Sequence, residues 1–250
     1  MRRLSDQFAE AARSVTAVLQ LRTLLSDAAL ELGFDHFALV DHSGFAAGCS
    51  AKLRIDNYPE AWVEEWTLSG FLHDDPVHLA SRRSNIGFAW SELSSLVPLE
   101  RRHRRILARS RRHGIGDGFT VPANVPGEPS ASCSFAVRTG CDVPALRLEC
   151  AGTIGAHALR AARRLRGLPR PRQRPRLSRR EVECLRLVAR GKTDWEIARI
   201  LGLSIETARQ YVKRARAAYD AVSRTQLAVY GLRDAWISFE DAIPPDGGMG

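Results

Sequence analysis

The chain has 250 residues, of which 44% are hydrophobic and 26% charged, and a formal net charge of +9; this composition is typical of globular proteins and excludes a disordered chain. The length accommodates two ordinary domains. No stretch approaches the ~20 apolar residues of a transmembrane helix, and no apolar run follows Arg2 and Arg3 as in a signal peptide, so we expect no membrane partner.

The cysteines favour a reduced protein without a structural metal. Five are present, an odd number, and they are dispersed without a C-x-x-C pair. This argues against a disulfide framework or a zinc site. The seven histidines also lack metal-ligand spacing. We therefore expect no metal and no cofactor, and a cytoplasmic location.

The excess positive charge lies in the last third of the chain. Residues 1–162 contain 18 Lys and Arg and 18 Asp and Glu, whereas residues 163–250 contain 19 and 10. A basic module joined to a neutral one favours a polyanionic partner, with nucleic acid first. A solvated basic surface is the alternative that charge alone leaves open.

Helical and strand patterns alternate in the first part of the chain. Residues 5–32 have apolar positions at helical spacing, including Val18, Leu19 and Leu30, and the pattern ends at Gly33. The later patterns predict an α/β domain with helices on both faces of a sheet. Its predicted strands are 36–41, 118–122 and 131–138, and its further helices are 59–72, 76–83 and 144–166.

A proline- and arginine-rich segment predicts the domain boundary. Residues 163–176 read RRLRGLPRPRQRPR, in which three prolines disfavour helix and the arginines repel one another. We predict a first domain at 1–166, a linker at 167–176 and a second domain at 177–243. The tail after Ile243 is predicted to be disordered.

The second domain contains only helical patterns, each opened by a residue that suits a helix N-cap. A Ser or Thr followed three residues later by a polar partner can accept a hydrogen bond from an unpaired amide of the first turn. Four short helices are predicted from these signals. The pairs are Ser178 with Glu181, Thr193 with Glu196, Ser204 with Thr207, and Ser223 with Gln226.

Two of these helices are joined by Gly202-Leu203-Ser204, the tight turn of a helix-turn-helix. The helix after the turn should bury a stripe from Ile205 to Tyr219 and leave Arg209 and Lys213 facing outward. An exposed face of this kind suits the DNA major groove, where Arg binds guanine. The predicted DNA-binding residues are Lys192, Thr193, Thr207, Arg209, Lys213, Arg214 and Arg216; an accessory bundle with a solvated basic face is the alternative.

Aromatic residues cluster in the first domain. Tyr58, Trp62 and Trp66 are four residues apart, so they share one helix face, and Asp75 and Trp90 follow nearby. Such a cluster is most often core, and Asp75 before a proline can simply cap a helix. A ligand cavity is the other interpretation, because buried indole, phenol and carboxylate groups need hydrogen-bond partners.

The segment LSRREVECLRLVARGKTDWEIARILGLSIETARQYVKRA at 177–215 resembles the DNA-binding domain of the LuxR family. The match is dense and includes Gly191, Lys192, Thr193 and Glu196. The resemblance implies binding of double-stranded DNA as a homodimer, with Arg209 and Lys213 contacting bases.

The first domain resembles the autoinducer-binding domain of the same family. The matching elements are Y-P-x-x-W at Tyr58 and Trp62, D-P-V at Asp75, F-x-W at Trp90, and G-F-T-x-P at 118–122. The resemblance implies an α+β protein: an N-terminal α-β-α sandwich ligand-binding domain plus a C-terminal all-α four-helix helix-turn-helix domain. It also implies that the ligand is a small-molecule autoinducer, an N-acyl-homoserine lactone.

Carried over by position, the resemblance assigns each polar group of the cavity a role. Trp62 would donate to the lactone carbonyl, Asp75 would accept from the amide, Tyr58 would donate to the acyl carbonyl, and Trp90 would wall the lactone ring. Trp66 stands where the family commonly has Tyr, and Cys133 where it often has Ser, although Ser132 or Ser134 could fill that position. These departures predict a short, branched or aromatic acyl chain.

The function predicted from sequence is a quorum-sensing transcription regulator, not an enzyme. Ligand binding would complete the core of the first domain and favour the dimer by mass action. Two alternatives stay open at this point. One is a regulator of the same build that responds to a different small molecule or to none, and the other is an enzyme with an appended helical bundle.

Overall fold

The computed structural model describes residues 2–42, 53–126, 128, 130–167 and 174–243. The chain separates into two units, Met1–Leu168 and Pro169–Gly250. Most of the predicted linker and the tail after Ile243 lie outside the described residues. The first unit mixes helices with a sheet and the second is helical, which confirms the predicted fold class.

A five-stranded sheet is the framework of the first unit, in the order β2-β1-β5-β4-β3 with every neighbouring pair antiparallel. The predicted strands at 36–41 and 131–138 are confirmed, and the strand at 118–122 extends to 115–123. The two short edge strands carried no clear alternation and were not predicted. The strands are β1 His36–Asp41, β2 Arg54–Asp56, β3 Phe88–Ala89, β4 Ile115–Ala123 and β5 Ala131–Arg138.

One face of the sheet is covered by α1 (Arg2–Ser14), α2 (Val18–Leu32) and α7 (Leu148–Leu165). The single helical pattern predicted at 5–32 is therefore two helices. The prediction that Val18, Leu19 and Leu30 lie on the apolar face is wrong, because these side chains are 43%, 69% and 65% exposed. The second helix starts with its own phase: it buries Leu25, as expected, together with Leu21 and Leu32.

The other face carries four short helices and two apolar clusters that both contact Trp90. With α1, α2 and α7 opposite, this arrangement confirms the α-β-α sandwich. The helix predicted at 59–72 stops at Leu68 and is followed by a 3-10 turn at Phe71–His73. The helices of this face are α3 Glu60–Leu68, α4 Pro76–Ser81, α5 Leu93–Leu96 and α6 Arg101–Arg112.

The second unit contains the four predicted helices and a fifth short one. Ser178, Thr193, Ser204 and Ser223 each accept a hydrogen bond from the backbone amide three residues later, as predicted. The helices are α8 Arg179–Ala189, α9 Asp194–Leu201, α10 Ile205–Ala218, α11 Arg224–Arg233 and α12 Phe239–Ala242.

The turn between α9 and α10 depends on Gly202, which has φ +64 and caps α9 in the left-handed conformation. A residue with a Cβ is strained there. After the turn, Ala208, Val212 and Ala215 are buried in the helical core together with Ile197 and Leu185. The opposite side of α10 is thereby left exposed.

Candidate functional site: a polar-lined cavity and an exposed basic helix

The first candidate site is a cavity between the sheet and helices α3, α4 and α6. Its volume is about 90 Å³, which is enough for several water molecules. Apolar walls come from residues such as Val40, Val77 and Leu107. Five of the six predicted ligand-binding residues line it: Tyr58, Trp62, Trp66, Asp75 and Trp90.

Helix α3 and the turn before it position three aromatic side chains. Trp62 is 5% exposed and its ring packs 6.2 Å from Phe71 and 5.6 Å from His113, measured between ring centroids. Glu65 on the same helix binds Arg109 Nη1 at 2.7 Å and His113 Nε2 at 2.6 Å on the α6 side. These contacts hold α3 against α6 and so fix the cavity wall.

Asp75 is both the N-cap of α4 and part of the cavity wall. Its Oδ1 accepts hydrogen bonds from the amides of Val77 at 2.9 Å and His78 at 3.4 Å. Its Oδ2 accepts a hydrogen bond from Trp66 Nε1 at 2.8 Å. The capping interpretation is therefore correct, and the carboxylate is held in a fixed orientation. Each oxygen of an ionised carboxylate can accept more than one hydrogen bond, so capacity for a ligand donor remains.

Two further hydrogen-bond donors belong to side chains that line the cavity, the Tyr58 hydroxyl and the Trp62 indole N–H. Burial, followed by the nearby Asp75 and Asp56 carboxylates, raises the pKa of Tyr58 far above its ordinary value. The phenol therefore stays protonated and is a permanent donor.

Trp90 is fixed by a chain of hydrogen bonds that reaches the sheet. Its Nε1 donates to Thr120 Oγ1 at 2.9 Å, and Thr120 Oγ1 lies 2.8 Å from Ser134 Oγ. Gly118 makes this placement possible, because a Cβ there would lie 3.0 Å from the Trp90 ring and 2.5 Å from the Phe135 carbonyl oxygen. The indole thus packs against backbone at one side of the cavity.

The assignment of Cys133 to the ligand site is wrong. Cys133 is fully buried in the core beneath α1, α2 and α7, on the opposite face of the sheet. Successive residues of a strand point to opposite faces, so its neighbours Ser132 and Ser134 line the cavity instead. Burial raises the pKa of the Cys133 thiol far above its usual range, which keeps it neutral.

Sequence reasoning also missed two histidines that line the cavity, His42 and His78. Strand parity gave a signal for His42, since it follows Ala38 and Val40 at intervals of two. His42 Nε2 lies 3.1 Å from Ser132 Oγ, and the ring centroids of the two histidines are 4.0 Å apart. Burial lowers the pKa of His42 to about 2 and also lowers that of His78.

The second candidate site is the exposed side of α10. Lys213 and Arg214 are exposed there, and Arg209 is 59% exposed with its guanidinium 2.8 Å from Glu206 Oε2. Thr207 lies in the first turn, where its amide donates to the Ser204 cap. Lys192 and Thr193 are grouped at the start of α9, where both bind Glu196.

Two predictions for α10 are wrong. The guanidinium of Arg216 donates to the backbone carbonyls of Ala221 at 3.2 Å and Val222 at 2.6 Å, so it closes the C-terminal end of the helix instead of facing DNA. Ile205, expected in the buried stripe, is 44% exposed. Ile205 is the first residue of the helix, and at that position the stripe no longer packs against the helical core.

The described residues contain no helix with the length and apolar character that crossing a membrane requires. Within the same residues, no group of three His, Cys, Asp or Glu side chains is placed to hold a metal ion.

Comparison with known proteins identifies both units. Residues 18–165 match the autoinducer binding domain family, and residues 175–231 match the family described as bacterial regulatory proteins, luxR family. RpaR of Rhodopseudomonas palustris, an HTH-type quorum sensing-dependent transcriptional regulator, is 28% identical over 202 residues, which cover 80% of this chain and 81% of RpaR.

A second relative is similar in sequence and in structure. The regulatory protein SdiA of Escherichia coli is 30% identical over 207 residues, which cover 81% of this chain and 83% of SdiA. A crystal structure of SdiA superposes with a TM-score of 0.58 at 25% identity, covering 93% of this chain and 97% of that one. RpaR is described as a transcriptional regulator and SdiA as a regulatory protein.

Proposed function

Because the chain belongs to the LuxR family of bacterial regulatory proteins and carries an autoinducer-binding domain, we propose that it binds an N-acyl-homoserine lactone and, as a homodimer, double-stranded DNA. The observation that carries the ligand proposal is the placement of two donors, Tyr58 and Trp62, and a fixed acceptor, Asp75, in the wall of one cavity.

An acyl-homoserine lactone has two carbonyl oxygens and one amide N–H, which complement these three groups. Trp62 donates to the lactone carbonyl, Tyr58 donates to the acyl carbonyl, and Asp75 accepts from the amide. Trp90 packs on the lactone ring. A ligand carbonyl can replace cavity water as the acceptor of each donor, which supports the proposed set of contacts.

The acyl group is short, branched or aromatic in this proposal. The Trp66 indole occupies cavity wall and is tied to Asp75 at 2.8 Å, and the cavity volume is about 90 Å³. Titration of the full chain with lactones of increasing acyl length, followed by calorimetry, tests this. We expect affinity to fall with chain length, and tightest binding of a twelve-carbon chain would contradict the proposal.

A substitution pair tests the proposed donor. Trp62→Phe removes the N–H but keeps an aromatic ring, and we expect roughly tenfold weaker lactone binding, equivalent to about 1.4 kcal/mol. Trp195→Phe is the matched control, because that indole is 57% exposed on α9 in the other unit. Equal losses in the two variants, or none in either, would contradict the proposal.

The DNA proposal rests on the exposed side of α10. Arg209 and Lys213 contact base edges, while Lys192, Thr193, Thr207 and Arg214 bind phosphates, which set the register. Selection from random duplex DNA should yield a two-fold symmetric site. On that site Arg209→Ala should lower affinity by about 1–3 kcal/mol, whereas Arg13→Ala on α1 is the control that should not.

Coupling between the two sites is proposed to run through the dimer. A ligand that binds only the folded chain stabilises it by mass action. Expression with lactone should therefore raise the soluble yield and the dimer fraction. Equal yield with and without lactone, or a co-purified small molecule that lacks a lactone ring when identified by mass spectrometry, would favour a regulator that responds to another signal.

A further inference from the structure

Helix α6 carries a dense positive charge that neither proposed site uses. Seven of its 12 residues are arginines and none is acidic. Residues 1–162 contain 18 basic and 18 acidic residues in all, so the part of that range outside α6 holds 11 basic and 18 acidic residues, a net charge of −7. The charge of the first unit is therefore balanced only as a sum, because one helix is strongly cationic and the remainder is acidic.

Five of these arginines form one exposed face of the helix. The opposite side is buried through His103, Ile106 and Ser110. At 3.6 residues per turn the five positions fall within about 120° of the helix circumference, and at about 1.5 Å per residue they extend over about 16 Å. This arginine face consists of Arg101, Arg104, Arg105, Arg111 and Arg112, all of which are exposed.

The other two arginines of α6 are paired with carboxylates. Arg109 Nη1 lies 2.7 Å from Glu65 Oε1, and Arg102 lies 3.2 Å from both Asp74 and Glu100. In the part of the chain that the structure describes, no carboxylate forms an ion pair of this kind with the arginine face. Within that part, its five guanidinium groups therefore face solvent without a counter-charge.

The placement of the arginine face lowers the stability of the helix that carries it. Arg101 and Arg104 lie in the first turn, which contains no acidic residue, although the N-terminal end of a helix dipole favours negative charge. Arg101 also has like charges three and four residues later, at Arg104 and Arg105, a spacing that destabilises helices. A local conflict of this kind without a compensating contact is typical of a functional surface. An external anion relieves both effects.

The chemistry of the face favours phosphate as that anion. A guanidinium presents its N–H donors in a planar fork that matches two phosphate oxygens. One DNA strand has a phosphate about every 3.4 Å of helix axis, hence about five over the length of the arginine face. Ala108 lies within the face, whereas the larger apolar residues Ile106 and Leu107 line the cavity. Within residues 101–112, all of which are described, the face thus lacks the apolar surface with which amphipathic helices enter membranes.

We infer that the arginine face of α6 binds the phosphate backbone of the duplex DNA that the helix-turn-helix recognises. The inference rests on the proposed function, because DNA held by the second unit is kept at high local concentration near the first unit of the same chain. The acidic remainder of residues 1–162 repels DNA, so the arginine face is the surface on which this unit can approach it. Phosphate contacts carry no sequence information, so they add affinity for every duplex.

The experiment measures how the affinity of the full chain for DNA depends on salt, by fluorescence anisotropy on the selected duplex and on a duplex of scrambled sequence. The slope of log affinity against log salt concentration reports phosphate contacts, at about 0.9 per contact. Arg104→Gln/Arg105→Gln should make the slope shallower by about 1.8 on both duplexes. Arg104→Lys/Arg105→Lys keeps the charges and should keep the slope. Arg3→Gln/Arg13→Gln, which removes two exposed charges from α1, is the matched control and should also keep it.

The other outcomes each overturn the inference. If the unaltered chain binds DNA and Arg104→Gln/Arg105→Gln does not change the slope, the DNA proposal stands and the arginine face is only solvated. If that variant loses the dimer, measured by sedimentation at the same salt concentrations, the face binds acidic residues of a second copy. If it loses binding to vesicles of phosphatidylglycerol and phosphatidylcholine while the slope on DNA is unchanged, the face binds a membrane surface. If the unaltered chain binds neither duplex, the DNA proposal fails as well.

Discussion

The two units reach their functional surfaces in different ways. In the helical unit the caps join residues three apart, as in Ser178 with Glu181. In the sensory unit the contacts around the cavity join residues 30 apart for Trp90 with Thr120 and 90 apart for His42 with Ser132. Local contacts form from local sequence, whereas the cavity exists only when distant segments pack. We therefore expect the sensory unit to be the more sensitive to single changes.

Substitution of one glycine in each unit should give the largest difference in stability loss between the two units. In Gly118→Ala the new Cβ would lie 2.5 Å from the Phe135 carbonyl oxygen, which neighbouring strands hold in place. We therefore expect the free energy of unfolding to fall by about 3 kcal/mol or more. Gly202→Ala meets no atom within 4 Å, so only the left-handed backbone is strained, at about 1 kcal/mol.

Hydrogen exchange on the full chain measures both effects region by region. Gly118→Ala should abolish protection in β4 and β5 or leave the protein insoluble. Gly202→Ala should reduce protection only modestly, in α9 and α10. If Gly118→Ala is soluble with unchanged protection, the contrast between long-range and local constraint is broken.

The pH dependence of stability gives the next largest contrast. Burial, then His78 and Arg82, lowers the pKa of His42 from 6.5 to about 2. The unfolded chain binds a proton at His42 below pH 6.5 while the folded chain does not. The contribution of neutral His42 to the free energy of unfolding is therefore complete above pH 6.5. It is lost as the pH falls below that value, by about 1.4 kcal/mol per pH unit.

Urea unfolding of the full chain between pH 7.5 and pH 5, followed by tryptophan fluorescence, checks this expectation. Burial also lowers the pKa of His36 and His78, so both act in the same direction. His42→Gln should flatten the slope, and His157→Gln should leave it in place. A slope that His42→Gln does not change would show that another group controls the acid sensitivity of this unit.

The smallest expected loss of stability comes from removing one helix cap in the helical unit. Ser178→Ala removes the hydroxyl that accepts from the Glu181 amide at 3.3 Å, and such caps contribute about 1 kcal/mol. Ser178→Thr keeps an acceptor and should restore most of that stability. Hydrogen exchange should place the loss in α8 alone. A loss of protection in β1 or β5 would contradict the view that the caps act locally.

Much of both sites could be predicted from the sequence, and the failures have physical causes. The four caps and the cavity residues Tyr58 and Trp62 lie in short patterns or motifs. Cys133 was misplaced because a shift of one residue along a strand reverses the face. Arg216 was misplaced because its acceptors are backbone carbonyls, which no side-chain pattern reveals.

The sequence by itself determined the helix caps, the turn at Gly202 and the positive charge of the second unit, because these depend on neighbours within one helical turn or on composition. Only the tertiary structure decided that Ser132 and Ser134 face the cavity, that Asp75 binds Trp66, and that His42 meets His78. The reason is that packing of strands and helices from distant segments sets which side chains share one buried space, and burial then sets whether they carry charge.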